Sequence, residues 1–166
     1  MSVKIYSKCN ICSRNWMYMF GFDKSLEIYS LFLEDFKKFQ KNLLDKNEFH
    51  EFYKYKINHE NKEEILNLNY MNIMEFFTQQ EKELLKNKIL IDYKIEYTSV
   101  FKLNDIADYR EVFVVPTIQF KFLNGEFYQR QYDYDIKFVE YDVQNNLLTC
   151  PYDLKLSSQI INKVDL

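Results

Sequence analysis

Ile89-Leu-Ile-Asp-Tyr-Lys-Ile-Glu-Tyr-Thr-Ser-Val-Phe-Lys-Leu103 decides the fold class. Ile89, Ile91, Tyr93, Ile95, Tyr97, Phe101 and Leu103 share one parity, and Asp92, Lys94, Glu96, Thr98 and Lys102 share the other. Side chains alternate across a strand, so this pattern reads as a long strand with one apolar and one wet face. A wet face belongs to an antiparallel sheet. Downstream, residues 111–123 read as a second strand, with Pro116 marking an edge or a bulge because proline cannot donate to the ladder. Asn124-Gly125 predicts a type I′ hairpin turn. The return strand starts at Glu126 and turns Tyr132, Tyr134, Ile136 and Phe138 inward. The inward parity then passes to Val139, Tyr141 and Val143, which predicts a bulge near Phe138. Residues 147–150 pair back after a turn at 144–146, Pro151 breaks that run, and residues 157–162 read as a short closing helix.

Upstream, Tyr29, Phe32, Leu33, Phe36, Phe39, Leu43 and Leu44 recur at helical spacing, which predicts a helix over 23–44 capped by Asp23 or Ser25. Residues 51–57 alternate as a short strand, and residues 59–77 read as a second helix. Thr78-Gln-Gln-Glu81 is a capping box opening a third. Residues 3–6 and 15–20 form a hairpin with Cys9 and Cys12 at its tip. The expected fold is α+β: an antiparallel β-sheet of five or six strands with two or three helices packed on one face. The helix over 23–44 is its main cover, the sheet core runs over 89–148, and residues 1–166 form a single domain.

Composition narrows the function classes. A chain of 166 residues buries ~70% of its unfolded surface, so a core needs neither metal nor disulfide. Fourteen Tyr and fifteen Phe stand beside one Ala, two Gly and two Pro. That skew follows A/T-rich codons and makes the aromatics core filler before it makes them a stacking platform. Two glycines exclude a P-loop, a dinucleotide fingerprint and a nucleophile elbow. The net charge is −3, and residues 89–166 carry eight basic against twelve acidic groups. A net acidic chain without a basic run is not expected to bind nucleic acid directly; its acidic half suits a basic protein partner. No signal-peptide pattern and no apolar run long enough for a membrane span is present. The expected location is cytoplasmic, with free thiols.

Cys9-Asn-Ile-Cys12 is the one recognisable chemical motif. A C-x-x-C turn aims two sulfurs at one point and suits zinc, yet a structural site takes four ligands. Cys150, His50 and His59 are the residues available to complete it, and no spacing selects among them. A redox reading is weaker, because a strand pattern rather than a helix follows the motif. A Cys150–histidine dyad lacks any local signature. Asp92-x-Lys94 and Asp133-x-Asp135-x-Lys137 resemble metal-nuclease faces, but any wet strand in a Lys- and Asp-rich chain produces that pattern. The stretch Tyr132-Asp-Tyr-Asp-Ile-Lys-Phe-Val-Glu-Tyr-Asp142 offers Asp133, Asp135, Glu140 and Asp142 edged by Tyr132 and Tyr134 as a partner-binding surface.

The leading functional expectation is a small inhibitor that neutralises a basic protein, a toxin or a nuclease, by occluding it, in the manner of an immunity or anti-defence protein. Such a protein has no catalytic residues and no cofactor. The alternative is a zinc protein, or a metal-dependent nucleic-acid enzyme, built on Cys9 and Cys12.

Overall fold

The computed structural model describes residues 1–166. Nine strands and four α-helices succeed one another in the order β1 (Ser2–Cys9), β2 (Asn15–Gly21), α1 (Glu27–Phe39), α2 (Lys46–Tyr53), α3 (Lys62–Phe76), α4 (Gln79–Asn87), β3 (Leu90–Lys102), β4 (Phe113–Phe122), β5 (Phe127–Gln129), β6 (Ile136–Phe138), β7 (Tyr141–Asp142), β8 (Leu147–Thr149) and β9 (Leu156–Asp165). The class is α+β, as expected, with more strands and helices than expected. The strands form one sheet in the order β5-β4-β3-β2-β1-β9-β8-β7, and β6 pairs with β3. The chain divides into two compact units. One comprises Met1–Asp23, Ile95–Ile118 and Gln129–Leu166; the other comprises Lys24–Lys94 and Gln119–Tyr128.

In the first unit, β1 and β2 form the anticipated hairpin, with Ile5 opposite Tyr18 and Lys8 opposite Asn15. The free edge of β1 is taken by β9, from Val3 opposite Asp165 to Cys9 opposite Ser158. The closing helix expected over 157–162 is therefore a strand. Although Ser157 or Ser158 could cap a helix, β-branched Ile160, Ile161 and Val164 favour extended backbone, and the open edge of β1 supplies ladder partners. Strand β9 also receives β8 on its other side. The core of the unit is Ile5, Tyr18, Phe101, Val139 and Leu148, with Trp16, Phe20, Val112 and Ile160 against it. The Tyr18 hydroxyl donates to the Thr149 carbonyl at 2.8 Å, which satisfies the buried phenol. Ser99 takes over part of the β2–β3 ladder: its hydroxyl accepts from the Met19 amide at 2.7 Å and donates to the Met19 carbonyl at 3.0 Å.

The single parity expected of β3 does not persist. Leu90, Ile95, Val100 and Phe101 are buried, while Ile89 and Ile91 are about half exposed. Ser99, Val100 and Phe101 are consecutive buried residues, so the strand is covered on both faces there and its period of two is lost. The inward switch after Phe138 holds only in part: Val139 is buried and its amide donates to the Ser99 carbonyl, but Val143 is 68% exposed. Tyr134, expected inward, is fully exposed.

In the second unit, Phe32, Leu33 and Phe36 are the buried stripe of α1. The helix stops at Gln40, whose φ of 50° and amide bond to the Phe36 carbonyl close it four residues before Leu44. The strand expected over 51–57 is absent: residues 51–53 are the end of α2 and residues 54–56 form a turn. Asp45 caps that helix by accepting from the Glu48 amide, and Phe49 meets Tyr53 one turn on, with ring centroids 4.6 Å apart. Asp45-x-x-Glu48 is the cap signal that the apparent alternation conceals. Helix α4 carries the complete capping box of Thr78 and Glu81, and the buried Glu81 also accepts from the Tyr128 hydroxyl at 2.8 Å. The turn at Asn124-Gly125 is a three-residue loop rather than type I′. Only Gly125 has positive φ, and the Phe122 and Gly125 groups pair across it.

Gly21 has φ +97° and a hypothetical Cβ only 2.4 Å from the Met1 carbonyl oxygen, whereas Gly125, at φ +87°, faces open space. A left-handed side chain costs about 1–3 kcal/mol by itself. Gly21→Ala is therefore expected to lose that and more, since a backbone oxygen must move. Gly125→Ala is expected to lose only the conformational part. Urea unfolding of the two variants measures the difference; equal losses would show that the Met1 contact is relieved without cost.

Candidate metal centre

The tip of the β1–β2 hairpin is held by a fixed set of backbone bonds. The Cys9 amide donates to the Arg14 carbonyl at 2.9 Å, and the Ser13 amide donates to the Cys9 carbonyl at 3.0 Å. Ser13 sits in the left-handed region with φ 62°. This curl turns the amides of Ile11 and Cys12 onto the Cys9 sulfur, at 3.3 and 3.5 Å. Amide donors aimed at sulfur favour its thiolate form.

The β8–β9 connection repeats the same construction. The Cys150 amide donates to the Lys155 carbonyl at 2.8 Å, and the Leu154 amide donates to the Cys150 carbonyl at 2.8 Å. Leu154 takes φ 61°, uncommon for a non-glycine residue and more so for a bulky one. The amides of Tyr152 and Asp153 bond to the Cys150 sulfur. Cys150-Pro-Tyr-Asp153 thus occupies the same four positions as Cys9-Asn-Ile-Cys12, with an aspartate where the first tip has its second cysteine.

Strand pairing brings the two tips together, since β9 leaves the second tip and lies against β1, which enters the first. The Asn10 amide fastens them by donating to the Ser157 carbonyl at 2.8 Å. Ligand atoms of Cys9, Cys12, Cys150 and Asp153 all lie within 4.8 Å of one another. The Cys12 and Cys150 sulfurs are 3.7 Å apart. Two thiolates on a tetrahedral zinc, each at ~2.3 Å, stand about 3.8 Å apart, so that pair already has the spacing. The Cys9 thiol donates to Asp153 Oδ2 at 2.8 Å and contacts Ser157 Oγ at 3.2 Å. A metal ion would replace that thiol proton. The donors present therefore could hold a metal: three sulfurs and one carboxylate oxygen converge within 4.8 Å.

The titration of the cluster reflects its crowding. Burial raises Cys9, and the Asp153 carboxylate raises it further, but the Ser157 hydroxyl and the Cys12 and Ile11 amides bring it below the ordinary thiol value. Burial pushes Cys150 up to about 12, against the opposing effect of the Asp153 and Tyr152 amides. Burial likewise raises Cys12. The hydrogen bond from Cys9 holds the Asp153 carboxyl below its usual range.

Two of the three arginines brace the second tip. The Arg14 guanidinium lies 4.2 Å above the Tyr152 ring and pairs with Asp108 at 2.5 Å. Arg110 donates to the Pro151 carbonyl at 2.8 Å and to the Leu103 carbonyl at 3.1 Å. Positive charge here offsets the excess negative charge that three thiolates and a carboxylate would place around a divalent ion.

Of the residues available to complete the site, Cys150 is in the cluster and the histidines are not. His50 lies on α2 with Nδ1 3.6 Å from Glu63, and His59 Nδ1 accepts from the Asn61 amide. Asp153 was missed because the expected partner motif was a second C-x-x-C; C-x-x-D at the opposite end of the chain was its only sequence signal. The acidic stretch is spread over separate settings. The Tyr132 hydroxyl is spent on the Pro116 carbonyl, and Tyr134 is fully exposed. Asp133 and Glu140 are exposed and Asp135 is half-buried. Asp142 folds onto its own turn, accepting from the Gln144 and Asn145 amides and the Asn145 side chain. Those bonds, led by the Asn145 side chain, lower its carboxyl. Asp133 and Asp135 lie in a turn before β6, not on a strand face with Lys137.

No helix is long and apolar enough to cross a membrane. The chain matches no protein-family model, no curated protein and no solved structure.

Proposed function

We propose that this chain is a zinc-binding protein in which Cys9, Cys12, Cys150 and Asp153 hold one ion that clips the β1–β2 tip to the β8–β9 tip. The observation that carries the reading is the matched pair of tips, each with the same backbone bonds, the same left-handed residue and amides directed at its leading sulfur. Three soft donors in a tetrahedral arrangement favour zinc over magnesium or calcium. Four protein ligands leave no vertex for a substrate or an activated water, so the role is structural. Three thiols kept for a metal suit a reducing compartment such as the cytoplasm.

Protein purified under reducing conditions from zinc-supplemented cells is expected to carry one zinc per chain by elemental analysis. Cys150→Ser is expected to lose it, because a hydroxyl does not replace a thiolate donor. A metal-free wild-type preparation would end the reading.

Neutralisation of a basic protein partner is a second reading, favoured by the full exposure of Tyr134 between Asp133 and Asp135. An exposed aromatic flanked by carboxylates is suited to anchoring on a basic surface. Reversing both charges, Asp133→Lys with Asp135→Lys, is expected to weaken a measured partner affinity by about tenfold or more, since close charge pairs across an interface are worth over 1.4 kcal/mol. An unchanged affinity would remove this loop from the interface.

A further inference from the structure

We propose that a peroxide exchanges the zinc for a disulfide between Cys12 and Cys150, so that the two tips stay tied in either redox state. The inference rests on the zinc reading above and adds its regulation.

Geometry selects the pair. The Cys12 and Cys150 sulfurs are in contact at 3.7 Å, although the residues are 138 positions apart in the chain. Cys9 is the other conceivable partner for Cys12, as in a redox C-x-x-C. Its sulfur instead donates to Asp153 Oδ2 at 2.8 Å and contacts Ser157 Oγ at 3.2 Å. Access selects the order. Cys9 and Cys150 are buried at 1% and 0% exposure, whereas Cys12 is only partly covered. Oxidation follows exposure, so Cys12 meets the oxidant first.

The chemistry needs one peroxide. The Cys12 sulfur attacks one oxygen, the O–O bond breaks, and a sulfenic acid and one water result. The Cys150 sulfur then attacks the Cys12 sulfur, the S–S bond forms, and the sulfenic oxygen leaves as a second water. Two zinc-bound thiolates are oxidised by two electrons, and the peroxide takes up two protons from solvent and is reduced to two waters. Cys9 and Asp153 alone remain as donors, too few to retain zinc against solvent. The covalent bridge then spans the positions the ion had joined.

The test treats reduced, zinc-loaded protein with hydrogen peroxide at one equivalent. Released zinc is followed with a colorimetric chelator, free thiols are alkylated after denaturation, and peptides are mapped without reduction. The expected result is one equivalent of zinc released, a linked pair of peptides containing Cys12 and Cys150, and alkylation at Cys9 alone. Cys9→Ser is expected to form the same bridge, because Cys9 takes no part in it. A Cys9–Cys12 bridge, or oxidation to sulfinic acid without a bridge, would overturn the proposal while leaving the zinc reading intact. A bridge formed in wild-type protein that held no zinc when reduced would overturn both the zinc reading and the exchange.

Discussion

On the zinc reading, chelating the ion from reduced protein is expected to lower its Tm by about 10 °C. A ligand held 1,000-fold above its Kd stabilises the folded state by about 4 kcal/mol. In a domain of this size each kcal/mol moves Tm by about 2–4 °C. The loss should concentrate in β1, β2, β8 and β9. Without the ion the tips keep the Asn10–Ser157 bond and the β1–β9 ladder, but four converging donors, three of them sulfur, lose their common partner. Hydrogen exchange should therefore accelerate at the amides of Ile11, Cys12, Tyr152 and Asp153 before it does in the α1 helix. A Tm unmoved by chelation, with exchange unchanged at both tips, would show that the ladder alone holds the hairpins and that the metal adds nothing to the fold.

Phe101→Ala is expected to cost about 3–5 kcal/mol, the usual range for removing a buried aromatic ring. Phe101 is fully buried on β3 and packs with Ile5, Tyr18, Val139 and Leu148. With Phe101 they come from four strands and the link between β6 and β7, so the cavity opens where the first unit's elements meet and no single neighbour can fill it. Collapse is further resisted by the Tyr18 hydroxyl, which is fixed to the Thr149 carbonyl. The cost appears as a lower urea midpoint with the slope unchanged. A loss below 1 kcal/mol would mean that the core relaxes around the missing ring. Phe39→Ala, at a ring 44% exposed on α1, serves as the contrast and should cost far less.

Residues 27–39 and 78–87 were legible because each helix states its own case: an apolar stripe in the first, a reciprocal cap in the second. The β1–β2 hairpin was legible for the same reason. Residues 46–53 were not, since Tyr53, Tyr55 and Ile57 alternate with Phe52, Lys54 and Lys56 over a stretch too short to separate a period of two from one of 3.6, and the Asp45 cap lies upstream. Residues 156–165 were not legible either. Their state is settled by the vacant edge of β1, a partner some 150 residues away, and local pattern carries no trace of it. The metal centre divides along the same line. Cys9 and Cys12 were readable as half a site because their spacing is local.

The amino-acid order by itself determined the class of fold, the first hairpin and the two sulfurs at its tip, because periodicity, caps and the C-x-x-C spacing act over a few residues. Only the tertiary structure decided that β9 lies beside β1, and through that pairing that Cys150 and Asp153 face Cys9 and Cys12. Backbone groups at a sheet edge must find partners wherever the chain provides them. Ligands separated by more than a hundred residues converge only after that pairing has been made.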